Sequence, residues 1–247
     1  MQPLYYFQKG FNYSQDGPGN RLVYHLAGCN MTCPWCANPE GMGPVPSNTN
    51  KNVSAILPKD LLQEAMDCQD LFFEGGGLTF TGGEATLQHS PLLEALQLLK
   101  KAGIHTAIET NASTKFLQDL LPQLDLLIAD YKHWDDEKHK NWTGVSNRMI
   151  EENIRCACQA GLQVWVRTPL ISGVNAAEED IAGFLGFFET LKSDSVAFEF
   201  LPYHEYGRDK WEKLGRKYQV QDGFIDEPCF IRFEEALKKA GLRVIHT

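Results

Sequence analysis

Short apolar runs alternate with stretches of helical periodicity along most of the chain. Arg21–Gly28 predicts a strand that runs into a loop rich in cysteine. Leu78–Thr81, His105–Thr110, Leu124–Asp130, Gln163–Ile171 and Val196–Leu201 predict five more strands. Helical spacing falls between them, over Pro58–Phe73, Ser90–Ala102, Ser113–Leu121, Ser146–Ala160 and Glu178–Leu191. A last helix, Phe230–Lys239, precedes a short strand at Leu242–His246. The punctuation agrees: Ser90-Pro91 opens a helix that Gly103 closes, Gly161 and Gly241 close others, and Pro122 breaks one.

Strands alternating with helices imply βαβ units and a parallel sheet covered by helices, about six units in all. The fold expected is α/β, a partial (β/α)6 TIM-like barrel formed as a single domain over residues 1–247. Residues 1–20 read as an N-terminal segment before the first strand, with a flexible Gly/Pro stretch at Asp16, 41–59 as a loop, and 203–223 as an irregular loop near the barrel mouth.

Composition narrows the function. A net charge of −9 argues against a nucleic-acid partner bound through phosphates. No apolar run approaches a membrane span, and no basic segment leads into an apolar one at the start, so a cytoplasmic protein is expected. Seven cysteines without a secretion signal favour metal binding or catalysis over disulfides.

Three of them, Cys29, Cys33 and Cys36, follow the first strand with spacing Cys-x3-Cys-x2-Cys. A structural zinc wants four ligands, so a distant His would have to complete it. A [4Fe–4S] cluster on three thiolates leaves one iron open, and Trp35 would shield it. Chemistry-capable residues recur at the ends of the later strands: Thr81-Gly82-Gly83-Glu84, Glu109-Thr110, Asp130 with Lys132, and His204; Arg167 lies within the fifth. Ligands of parallel α/β barrels bind at those ends. The glycines allow close backbone approach, and Glu84 could accept from an ammonium group. The plain alternative for Arg167 is an ion pair with Asp130 or Glu199. Asp16, in a Gly/Pro turn, has turn chemistry as its plain reading. Cys68, Cys156, Cys158 and Cys229 are scattered and read as inert.

The triplet, with an aromatic before its last cysteine, resembles the radical S-adenosylmethionine (SAM) enzymes. Asp16-Gly-Pro-Gly19 with Arg21, Thr81–Ala85, Glu109-Thr-Asn111, Asp130-Tyr-Lys132 and Leu201–Gly207 with Lys210-Trp211 narrow the resemblance to the glycyl-radical-enzyme activases. It is carried in order along essentially the whole chain, in the layout of the pyruvate formate-lyase activases. It implies one [4Fe–4S] cluster on Cys29, Cys33 and Cys36, and SAM held by Trp35, Thr81, Gly82, Gly83, Glu84, Asp130, Lys132, Arg167 and His204. It implies a monovalent cation as a further candidate at Glu109, Thr110 and Asp130, although Glu109 stands where the closest pattern carries Asp. Asp16 would hold the partner's glycine loop. The activity implied is reductive SAM cleavage and hydrogen-atom abstraction from a glycine of a protein substrate, with flavodoxin or ferredoxin as electron donor. A radical SAM enzyme acting on a small molecule, or a non-catalytic iron–sulfur or zinc module, are the alternatives.

Overall fold

The computed structural model describes residues 2–247. Eight strands lie in one sheet: β1 (Leu4–Tyr13), β2 (Asn20–Leu26), β3 (Ser54–Ile56), β4 (Gly77–Gly82), β5 (Thr106–Thr110), β6 (Leu126–Asp130), β7 (Gln163–Leu170) and β8 (Val196–Pro202). Their order is β3-β1-β2-β4-β5-β6-β7-β8. From β2 to β8 every pairing is parallel, with Val23 opposite Thr79, Ile128 opposite Trp165 and Val166 opposite Phe198. β1 and β3 extend the sheet antiparallel at one edge. The sheet is open, a partial barrel, because β8 and β3 stand at opposite ends of the order.

The helices are α1 (Pro58–Asp67), α2 (His89–Lys101), α3 (Leu117–Leu120), α4 (Asp136–Thr143), α5 (Arg148–Gln159), α6 (Glu178–Phe188), α7 (Arg208–Lys213) and α8 (Glu227–Lys239). The parallel strands are near-continuously buried, as expected of a sheet with helices outside and packed side chains inside. Where α6, α8 and β8 meet, Phe188 packs on Phe198 and Phe233 on Phe200, with ring centroids 4.7 and 5.3 Å apart.

The structure corrects several expected elements. The segment before the first expected strand contains a strand of its own: β1 pairs with β2 from Tyr6–Leu26 to Tyr13–Asn20. Its sequence carries a weak signal because only Leu4 of the ten residues is buried. The turn between them is fixed by contact, since a Cβ on Gly19 (φ 67°) would lie 2.2 Å from the Phe73 carbonyl oxygen. Residues 203–223 contain α7, and β3 lies within the expected loop at 41–59. The helix expected over 58–73 ends at Asp67, and that over 113–121 shortens to Leu117–Leu120. The expected last strand is a single parallel bridge between Phe198 and Val244.

Candidate active site

The loop that leaves β2 closes on itself. Cys29 and Gly43 exchange backbone hydrogen bonds of 2.7 and 3.1 Å, so the cysteines lie on a closed excursion above the end of β2. Within it the Cys36 amide donates to the Cys33 carbonyl at 3.1 Å. The amides of Met31 and Asn38 donate to the sulfurs of Cys29 and Cys36, each at 3.4 Å. Thr32 N–H donates to the Thr143 carbonyl at 2.9 Å, bracing the loop against the end of α4. Trp35 is buried and packs on Trp142, with centroids 6.1 Å apart.

Gly82, the last residue of β4, and Gly83 have a use that their sequence did not reveal. A Cβ on Gly83 would lie 2.2 Å from the Gly28 carbonyl oxygen and 2.8 Å from that of Gly41. One on Gly82 would lie 2.5 Å from the Leu26 amide nitrogen. The close approach is therefore to the cysteine loop and β2 as well as to the cavity beside them.

That cavity has a volume of about 240 Å³. Cys29, Cys33 and Cys36 line it, together with Trp35, Thr81, Gly82, Gly83, Glu109, Thr110, Asp130, Lys132 and His204. Met31, Met42 and Leu201 add apolar wall, and Asn111 joins from the β5 end. Thus nearly all of the expected residues come together. A recess of about 470 Å³ on the outside, around Tyr5, His89 and Phe116, has no cysteine or carboxylate in its lining.

Glu84 is fully buried just behind the cavity. It accepts from the Thr86 amide (3.0 Å), the Thr110 hydroxyl (2.6 Å) and the Asn111 amide (2.8 Å), and also from the Thr86 hydroxyl. Burial pushes its pKa up, and those donors partly counter it. The network holds the turn after β5, where Ala112 takes a left-handed φ of 54° and the Asn111 side-chain amide points at Cys29 Sγ, 3.9 Å away.

Arg167 is absent from the cavity wall. Its guanidinium lies inside the barrel, with Nε on Glu199 (2.8 Å), Nη1 on Glu109 (2.9 Å), and Nη2 on the Gln15 carbonyl (2.6 Å) and the Thr247 hydroxyl (2.8 Å). Of the two expected ion-pair alternatives, Glu199 is the one formed. Glu109 also accepts from the Thr81 hydroxyl at 2.9 Å, so both of its oxygens are taken by protein groups. Burial raises the Glu109 pKa against the pull of Arg167, and Asp16 and Asp130 add to the rise. Asp130 pairs instead with Lys132 at 2.8 Å. Burial would lower the Lys132 pKa, but Asp130 and the Cys33 and Cys36 sulfurs outweigh it and hold the ammonium above its ordinary value.

His204 ends the lining. The Tyr206 amide donates to its Nδ1 at 3.4 Å, and the Tyr206 ring stacks on it at 4.1 Å. Burial keeps its pKa below the ordinary value, favouring the neutral ring, and Nδ1, as the acceptor of the Tyr206 amide, assigns the proton to Nε2. Asp16 does not line the cavity; it sits in the β1–β2 turn, close enough for its charge to act on Glu109. Its carbonyl accepts from Thr79 at 2.7 Å, and its carboxylate accepts from the Asn12 side chain.

Burial raises all three thiols of the triplet, Cys29 and Cys33 to about 12. Such groups become thiolates by binding metal. Among the described residues no three His, Cys, Asp or Glu side chains gather closely enough to hold a single metal ion. Three sulfurs around one cavity, amide donors on two of them and an ammonium alongside fit a cluster better than a mononuclear zinc.

Residues 23–185 match the family model of the radical SAM superfamily. The chain belongs to that superfamily. Membership implies a [4Fe–4S] cluster and SAM, and the cysteine-lined cavity suits both. The chain is 36% identical over 216 residues to the pyruvate formate-lyase-activating enzyme of Streptococcus mutans, covering 84% of this chain and 80% of that one. It is 30% identical to the 4-hydroxyphenylacetate decarboxylase activating enzyme of Clostridioides difficile, covering 86% of each. That alignment runs over 273 positions, more than the 247 residues here, so that relative carries segments absent from this radical SAM chain. A solved domain of the pyruvate-formate lyase-activating enzyme of Bacteroides vulgatus superposes with a TM-score of 0.57 at 31% identity, covering 69% of this chain and 98% of that one.

Proposed function

We propose that this chain activates a glycyl radical enzyme, pyruvate formate-lyase or a related one, by reductive cleavage of SAM and removal of a hydrogen atom from a glycine of that partner. The observation that carries the reading is the gathering of three cysteine sulfurs, Gly82-Gly83, the Asp130–Lys132 pair and His204 around one cavity. When bound, the cluster supplies one electron to SAM and the carbon–sulfur cleavage that creates a hydrogen-abstracting radical.

The protein's part is binding, orientation and dryness. Cys29, Cys33 and Cys36 hold the cluster, and Lys132 offsets negative charge beside their sulfurs. Thr81, Gly82, Gly83, Asp130 and Lys132 line the bed for the methionine end of SAM, and Glu84 stiffens that bed from behind. His204 offers its Nε2–H and ring face to the adenosine. Trp35, Met31 and Met42 keep water from the reacting atoms. The open edge between β8 and β3 admits the partner's glycine loop to the barrel interior, where Asp16 and Arg167 lie. Flavodoxin or ferredoxin supplies the electron. No helix of the described residues is long and apolar enough to cross a membrane.

The test is anaerobic reconstitution with iron and sulfide, reduction with dithionite and addition of SAM. 5′-Deoxyadenosine is expected; its absence refutes the reading. Co-incubation with a purified glycyl radical enzyme should then give a glycine-centred signal by electron paramagnetic resonance. Cleavage without that signal in any partner of the class favours a small-molecule substrate.

A further inference from the structure

The segment after β8 reaches back and grips the far end of the cysteine loop. Trp211 Nε1–H donates to the Cys36 carbonyl at 2.9 Å. The indole is buried, edge-on to Tyr218 at 6.0 Å. Lys210 Nζ donates to Asn38 Oδ1 at 2.8 Å and pairs with Glu40 at 3.2 Å. Gly207 passes so near that a Cβ there would lie 2.2 Å from the Cys36 carbonyl oxygen and 3.0 Å from Ala37 Cα. These contacts all fall on residues 36–40, around and just after the third cysteine.

Two peptide units are at stake. A carbonyl dipole turned toward a thiolate repels its charge, whereas an amide N–H turned toward it attracts. The indole engages the Cys36 carbonyl, and the Asn38 amide is left on the Cys36 sulfur at 3.4 Å. Hydrogen bonds to cluster sulfurs raise the reduction potential, because they stabilise the added electron.

We propose that Lys210 and Trp211 are positioning residues for Cys36: they lock residues 36–38 so that the Asn38 amide stays on the sulfur, fixing both the retention and the potential of the cluster. This rests on the cluster reading given above. His204 belongs to the same segment and lines the ligand cavity. Ordering the clamp therefore also orders a ligand contact, and SAM and cluster should strengthen each other's binding by the same factor.

The test compares Trp211→Phe, which keeps the ring and loses the N–H, with Lys210→Met, which keeps the stem and loses the ammonium. Glu212→Gln, exposed on the same helix, serves as control. Reconstituted proteins are challenged with a chelator, and the midpoint potential is read by redox titration. Both variants should lose iron faster, by up to about tenfold for one hydrogen bond, and titrate at a more negative potential than the control. The protection that SAM gives against the chelator should shrink in both. Trp211→Phe could also loosen the fold generally. Lys210 is partly exposed, so its variant separates the two effects, and urea unfolding of the cluster-free chains checks them. Unchanged potentials and chelator half-lives in both variants would overturn the proposal while leaving the functional reading intact. A wild-type chain that retains no four-iron cluster would overturn the functional reading, and the proposal with it.

Discussion

Arg167→Met is the most informative single perturbation of the barrel interior. The side-chain volumes are similar, so packing is nearly kept while the charge is lost. Arg167 is the shared partner of two carboxylates, and its own side chain is 4% exposed, with Glu199 at 2% and Glu109 at 21%. Thr247 N–H and its hydroxyl still donate to Glu199, at 2.7 and 2.9 Å, and the Thr81 hydroxyl to Glu109. The variant therefore leaves one buried carboxylate, Glu199, and one partly buried one, Glu109, with neutral donors and no cation. Breaking a buried pair from one side costs about 3–5 kcal/mol. At about 2–4 °C per kcal/mol for a chain of this length, the loss in Tm is about 6–20 °C. Equilibrium urea unfolding of the cluster-free chain measures it directly. The sign with pH is also fixed. Burial already raises the folded pKa of Glu109 and Arg167 pulls it down, so without Arg167 it lies further above its unfolded value and the variant is relatively most stable at low pH. It loses stability as pH rises through that folded value, and the gap to wild type widens in that direction. Arg167→Met with Glu199→Gln should recover part of the loss. A loss below about 1 kcal/mol at pH 7 would refute the reasoning, since that is the range of a solvated surface pair.

Three further outcomes follow from the site. The thiols of Cys29 and Cys33 are pushed up to about 12 in the unliganded chain, so iron binding must expel protons; competition against a chelator should favour the protein more at pH 8.5 than at pH 6.5. Gly83→Ala would set a Cβ 2.2 Å from the Gly28 carbonyl oxygen, and the displaced cysteine loop should cut iron content in reconstitution while Cys229→Ser leaves it unchanged. Trp142→Ala uncovers Trp35, and the absorbance of the reconstituted cluster should bleach several-fold faster in air.

The parallel strands were legible because they are buried on both faces, and continuous apolar runs such as Leu126–Ala129 are the direct imprint of that burial. The strand-end chemistry was legible for a related reason: the fold carries the residue after each strand to one rim. β1 escaped because Tyr5–Tyr13 is half-buried or exposed, so no alternation marks it. α7 escaped because a six-residue helix has too few turns to show a stripe. The position of Arg167 could be read, but not its partners. Whether a charge inside a strand faces a ligand or Glu199 depends on pairings between strands 32 residues apart. Gly82 and Gly83 were assigned to the ligand, while the backbone of β2 is the nearest neighbour of the first and that of the cysteine loop the nearest of the second, contacts set by tertiary packing alone.

The order of the parallel strands has a consequence in time. Each parallel strand, β2, β4, β5, β6, β7 and β8, pairs with the next parallel strand in the chain, so the sheet can grow by addition as the polypeptide emerges from the ribosome. The cysteines follow β2, the first parallel strand laid down. The indole that secures Cys36 lies 175 residues later, after the last strand. A nascent chain would thus display its three thiols long before the grip on them exists. Iron delivered during synthesis would meet a loosely held loop, and lasting metallation belongs to the released, fully folded protein.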